Sequence, residues 1–129
     1  MTARGVQSAL AAIFVLLGGW CMLLPGMVVG LVFLPGLDAD GVPVRFVMGC
    51  FGAQAVLTGT ILATARFTPT TFLVFGLAGS LPFFAFNVWF TLVEPVLNGW
   101  MWLDVLGNAG ILACGLLGHY LARREGAAS

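Results

Sequence analysis

The last long apolar run of the chain, Trp100–Arg124, reads WMWLDVLGNAGILACGLLGHYLARR. Two tryptophans open it, two arginines close it, and between them stands one formally charged side chain, Asp104. Tryptophan at one rim and arginine at the other mark the two faces of a bilayer. The apolar part is close to the ~20 residues that cross about 30 Å of hydrocarbon as a helix. Helix is required, because a single segment in lipid must satisfy its own backbone.

Three further runs have the same character. They are Val6–Leu24 after Arg4, Val44–Ala65 between Arg45 and Arg66, and Thr70–Val93 before Glu94-Pro95. With the last, at about 100–122, they predict one domain over 1–129: an all-α integral membrane protein, a bundle of four transmembrane helices. Composition agrees, with 60% hydrophobic and only 8% charged residues, against about 25% charged in a soluble domain. So few charges could not cover a surface facing water. Pro82 should kink the third span, because its ring removes a backbone donor. Arg4 before an apolar stretch resembles the front of a signal peptide, but no Ala-x-Ala site follows Leu24, so the first run is expected to be a retained helix.

All five basic residues are arginines. In a four-span topology Arg4, Arg66, Arg123 and Arg124 share one side, and Arg45 stands on the other with Asp38, Asp40 and Glu94. The positive-inside rule then puts both termini in the cytoplasm, in the inner (plasma) membrane of a cell. Trp20, Trp89, Trp100 and Trp102 all fall near the outer ends. The segment Met27–Leu34 is short, apolar and bounded by Pro25-Gly26 and Pro35-Gly36. It is expected to lie at the outer surface or dip against the bundle. The alternative is a long first helix, tilted and kinked at Pro25.

Polar side chains within spans are costly and tend to be functional. Arg45, Asn87, Thr91, Glu94, Asp104 and Asn108 all fall in the outer half. Helical spacing groups Asp104, Gly107, Asn108, Ile111, Gly115 and Gly118 on one broad face, and Gly76, Ser80, Asn87, Thr91 and Glu94 on another. A third face holds Arg45, Gly49, Gly52, Val56, Gly59 and Ala63. Small residues permit close helix approach, and polar ones bond across it, so these faces should point inward. Arg45, Asn87, Glu94, Asp104 and Asn108 are therefore the candidate ligand-binding residues, with Phe83, Phe84, Phe86 and Trp89 as an apolar wall and Met27–Leu34 as a roof. Arg45 and Asp104 would be the charged pair of that pocket, or a staple between two helices. Asp38 and Asp40 read as a solvated turn beside Gly41, with pairing to Arg45 as the alternative.

Other chemistries find little support. Cys21, Cys50 and Cys114 lack CxxC spacing; a Cys21–Cys50 disulfide is conceivable, and Cys114 reads as packing. His119 is the only histidine and reads as an ordinary interface residue. No strand precedes the spaced glycines, so they are packing motifs and not phosphate loops. No catalytic set, metal site or cofactor is expected. Zero net charge argues against nucleic acid.

At the start of the second span, Arg45-Phe-Val-Met-Gly49 followed by Gly52 and Gly59 resembles the DoxX-like group of small bacterial inner-membrane proteins. The resemblance covers length, helix count and this pattern, and implies a four-helix architecture with a loose link to redox and sulfur metabolism. Small multidrug transporters have similar length but place an essential glutamate in their first helix, and here that helix has no acid. Three functions are carried forward: an accessory subunit or small-amphiphile binder; a small transporter or channel; a membrane enzyme acting on a lipid or quinone. Expected partners are membrane lipids and either further copies of the chain or a larger membrane complex.

Overall fold

Each helix begins where the sequence offers an unbonded backbone donor a partner, or removes the donor. The computed structural model describes residues 1–37 and 39–127. Helix α1, Ala3–Leu23, is capped by Thr2, whose side chain accepts from the Gly5 amide at 3.1 Å. Helices α2 (Pro25–Val32), α3 (Val42–Thr64) and α4 (Pro69–Ala78) each carry proline in the first turn, where no amide partner is lost. Helix α5, Leu81–Val88, does the same with Pro82 and runs on as a π-helical turn over Trp89–Val93. A 3₁₀ turn at Gly99–Met101 leads into α6, Trp102–Ala127. Four helical stretches, at 3–23, 42–64, 69–93 and 99–127, are long and apolar enough to cross a membrane.

The sequence-based spans are thus present, with informative shifts. Pro82 marks a full break: α4 ends at Ala78 and α5 restarts at Leu81. The buried Ser80 hydroxyl stitches the break by donating to the Gly76 carbonyl at 2.6 Å. The last helix runs past 122 to Ala127, since nothing in Arg123-Arg124-Glu125 breaks a helix and Glu125 accepts from the Ala3 amide at 2.9 Å. Pro25-Gly26 starts α2 rather than separating it, so this segment is a helix of its own and not a continuation of α1.

Helix α1 is the hub. It packs along α3 on one flank and α6 on another, while α4 packs closely on α6 and meets α1 through Phe72 and Phe75. Contacts are closest at glycines. A Cβ at Gly18 would lie 2.9 Å from the Gly52 carbonyl oxygen, and one at Gly76 would lie 2.7 Å from the Gly115 Cα. Any side chain there would push the helices apart. The half of the bundle nearer the two termini is filled by Leu10, Ala11, Leu62 and Ile111, with Val6 and Phe72 nearer still to the termini. Phe14, Phe67, Phe72 and Phe75 lock it through edge contacts, such as Phe67–Phe72 at 5.0 Å between centroids.

Two polar side chains missed in the sequence tie α1 to the end of α3. Gln7, 3% exposed, donates through Nε2 to the Leu62 and Ala65 carbonyls. Arg4 donates to the carbonyls of Ala63 at 2.6 Å and Ala65 at 3.0 Å. Together they satisfy carbonyls that the last turn of any helix leaves orphaned. Gln7 breaks an otherwise apolar face, and the rule used for Asn87 applies to it equally. His119 is half-buried and donates through Nδ1 to the Pro69 carbonyl at 2.8 Å, fixing the start of α4 rather than lying free at the interface. The three cysteines are free thiols, so Cys21 and Cys50 are not bonded.

Candidate functional site

Asp104 lies in the first turn of α6, one turn before Asn108. Its Oδ2 accepts from Asn108 Nδ2 at 2.7 Å and from Asn87 Nδ2, on α5, at 2.8 Å. Asn87 Nδ2 also donates to the Phe83 carbonyl at 2.9 Å. Both asparagines are buried, at 7% and 4% exposure. The carboxylate thus joins two helices through amides, and this is the polar convergence expected of the α5 and α6 faces.

Two oxygen atoms are left over. Asp104 Oδ1 makes no hydrogen bond, and Asn87 Oδ1 is buried with no partner at all. Turning the Asn87 amide over would not help. Its oxygen would then face the Phe83 carbonyl and Asp104 Oδ2, two acceptors against a third. A buried acceptor without a donor costs about 1–3 kcal/mol. In a bilayer, with no water to fall back on, such an atom calls for a partner.

The network forms one end of a cavity of about 450 Å³. Asn87, Asp104 and Asn108 line it, and nearly all the rest is apolar. Phe83 and Phe86 supply the aromatic wall, while Phe84 and Trp89 lie outside the lining. Val28, Leu31, Val32 and Phe33 roof it. Ile13, Phe14 and Ile111 are its floor, next to the packed half that holds the termini. Helices α3 and α5 make no extended contact with each other. Between them the cavity is bordered by the exposed side chains of Val47, Phe51 and Phe86, with the Phe51 and Phe83 rings 6.3 Å apart.

The roof is held by Asn98, a residue the sequence reading passed over. Its amide N–H donates to the Val32 carbonyl at 2.8 Å, and its Nδ2 donates to the carbonyls of Leu31 at 2.7 Å and Phe33 at 3.0 Å. Its Oδ1 accepts from the Trp100 amide at 2.9 Å. The Leu34 amide donates to the Val96 carbonyl at 2.9 Å, and Phe33 faces Leu97 in a short antiparallel bridge. The available signal was Asn98 between Pro95 and Gly99, where asparagine commonly bonds backbone two residues on.

Two other expected residues fall elsewhere. Arg45 does not pair with Asp104. Its Nε lies 3.4 Å from Asp40 Oδ1, and both side chains are largely exposed, at 46% and 74%. Among the described residues this is the ion pair that forms, and Arg45 does not line the cavity. A flexible loop residue five positions away reaches the guanidinium without desolvating it, whereas Asp104 would have required burying it. Asp38, the other loop acid, lies outside the described residues. Thr91 and Glu94 are exposed, not inward. The π turn at Trp89–Val93 is the reason: it holds more residues per turn than an α-helix, so positions after 88 rotate away from the face that holds Asn87. On α3, Gly52 and Gly59 are buried as expected, but Arg45 and Ala63 are exposed, and Gly49 meets no neighbour.

Among the described residues no cluster of histidine, cysteine or carboxylate side chains could hold a metal ion. Searches with this chain find no matching family model, no matching curated protein and no matching solved structure.

Proposed function

We propose that this is an amphiphile-binding protein of the plasma membrane, with both termini cytoplasmic, working alone in assemblies of its own copies or as a subunit of a larger membrane complex. One observation carries the reading: an apolar cavity of about 450 Å³ with its polar atoms gathered at one end. That volume is in the range of about 300–1,000 Å³ typical of small-molecule sites. A molecule with an apolar body and one polar end matches such a shape. The gap between α3 and α5 offers a route from the lipid side. The likeness of Arg45–Gly59 to DoxX-like proteins agrees with this architecture and adds no ligand.

A transporter or channel ranks lower, because Leu10, Leu62, Phe72 and Ile111 fill the inner half with no polar path. An enzyme acting on a lipid or quinone ranks last, since the cavity lining holds no histidine and no second carboxylate, and the described residues form no metal-binding cluster. The reading is tested by native mass spectrometry of the full chain released from membranes in a mild nonionic detergent. Retention of a small amphiphile, lost when Leu17→Trp or Leu31→Trp fills the cavity, is the expected result. Equal retention by the filled variants would refute it. Reporter fusions in the 38–41 loop and after residue 129 should report opposite sides, and a periplasmic C-terminus would overturn the orientation.

A further inference from the structure

Every amide donor that Asn87 and Asn108 direct at Asp104 converges on Oδ2. The carboxylate oxygen left without a bond is Oδ1, and Asp104 lines the cavity. No cation balances the carboxylate among the described residues, because Arg45 is engaged by Asp40. A carboxylate at the end of an apolar cavity, with one oxygen unbonded and no cation beside it, is the complement of a group that brings both an N–H donor and positive charge. A ligand carboxylate or phosphate would set its own charge against that of Asp104. A hydroxyl would bring a donor and leave the charge unbalanced.

We infer that the cavity's ligand is a lipophilic amine, bound as its ammonium, whose N–H donates to Asp104 Oδ1 while its apolar body lies along Phe83, Phe86 and the roof. The inference rests on the amphiphile-binding reading and specifies the head group. Charge-assisted hydrogen bonds of this kind are about twice as strong as neutral ones, and the surrounding apolar wall screens them little.

The test uses the full chain in nanodiscs of uncharged lipid and three probes sharing one chain: decylamine, decyltrimethylammonium and decanol. Binding is read against empty nanodiscs through the fluorescence of Trp20 and Trp100, which line the cavity. Decylamine should bind about tenfold or more tighter than decanol. Decyltrimethylammonium keeps the charge and loses the N–H donors, and should fall well below the amine. Asp104→Asn should weaken decylamine by about tenfold and decanol by far less. Equal affinity for amine and alcohol overturns the inference. A quaternary ammonium as tight as the amine also overturns it, since no N–H donor is then being read. The probe series on the unaltered protein stands even if Asp104→Asn fails to fold. Failure of the underlying reading looks different: no probe binds, or Leu17→Trp and Leu31→Trp displace none of them. Decanol displaced by cavity filling with no preference for the amine removes the head-group assignment alone.

Discussion

Replacing Asn98 should loosen the cavity roof while leaving the four spans in place. Asn98→Ala removes three side-chain hydrogen bonds, to Leu31, Phe33 and Trp100, and keeps the backbone bond to Val32. At about 0.5–1.5 kcal/mol each, three bonds are worth about 1.5–4.5 kcal/mol. The site is only partly buried, so water will recover some of this, and about 2 kcal/mol of local stability is the reasonable loss. Each 1.4 kcal/mol is tenfold in an equilibrium, so amide exchange at Phe33, Leu34 and the last turn of α2 should quicken by about 10–50-fold. Hydrogen exchange by mass spectrometry on protein in nanodiscs reads this directly. Amides of α1 and α6 serve as internal controls and should not change. Asn98→Asp sharpens the case. It retains the acceptor for the Trp100 amide but turns a second oxygen toward the Leu31 and Phe33 carbonyls, so the roof should loosen at least as much as with alanine. Unchanged α2 protection in both variants would refute the view that Asn98 holds the roof.

Three further outcomes follow from the same geometry. Gln7→Leu should lower thermal stability in detergent by about 1–3 kcal/mol, because the Leu62 carbonyl loses its buried donor; an unshifted melting temperature would show that those carbonyls find other partners. Gly115→Ala should destabilise by about 1–3 kcal/mol through overpacking, since its Cβ would meet the Phe72 carbonyl at 3.0 Å and the Gly76 backbone; the matched control Gly49→Ala, in open space, should be close to neutral. Arg45→Ala should cost no more than about 1 kcal/mol, as expected of an exposed ion pair, and should leave decanol binding intact; a large loss of either would place Arg45 back in the site.

The four spans were legible because an apolar run between arginines has one stable form in a bilayer. The inward faces of α6 and of the third span as far as Asn87 were legible for the same kind of reason: Asn108, Gly115, Gly118, Gly76 and Asn87 keep helical spacing, and all are buried. The cavity was foreseen from Asn87, Asp104 and Asn108 with the 27–34 segment above them. Its charge partner was misjudged, because periodicity says which face a residue takes and nothing about whether a nearer loop acid will reach it first. Asp40 did so. Thr91 and Glu94 were misplaced because a π turn leaves no mark in composition, yet it shifts the register of everything after it. Asn98 and Gln7 act on backbone carbonyls of distant segments, and those partners become visible only once the chain is folded.

The bond between Asn87 and Asp104 spans 17 positions of sequence, and it sets an order of events as the chain is made. Helices α1 and α3 can pair as soon as both have left the ribosome, through Gly18, Gly52 and Gly59. The third span meets α1 only through side chains such as Phe72 and Phe75, and its close backbone contacts are to α6, through Gly76 and Gly115. Until residue 108 has emerged, Asn87 has its own Phe83 carbonyl as a partner and nothing across the bundle. The chain thus carries its polar centre in an unfinished state through the synthesis of the last span, and the arrival of α6 completes the bundle's fold and its cavity in one step.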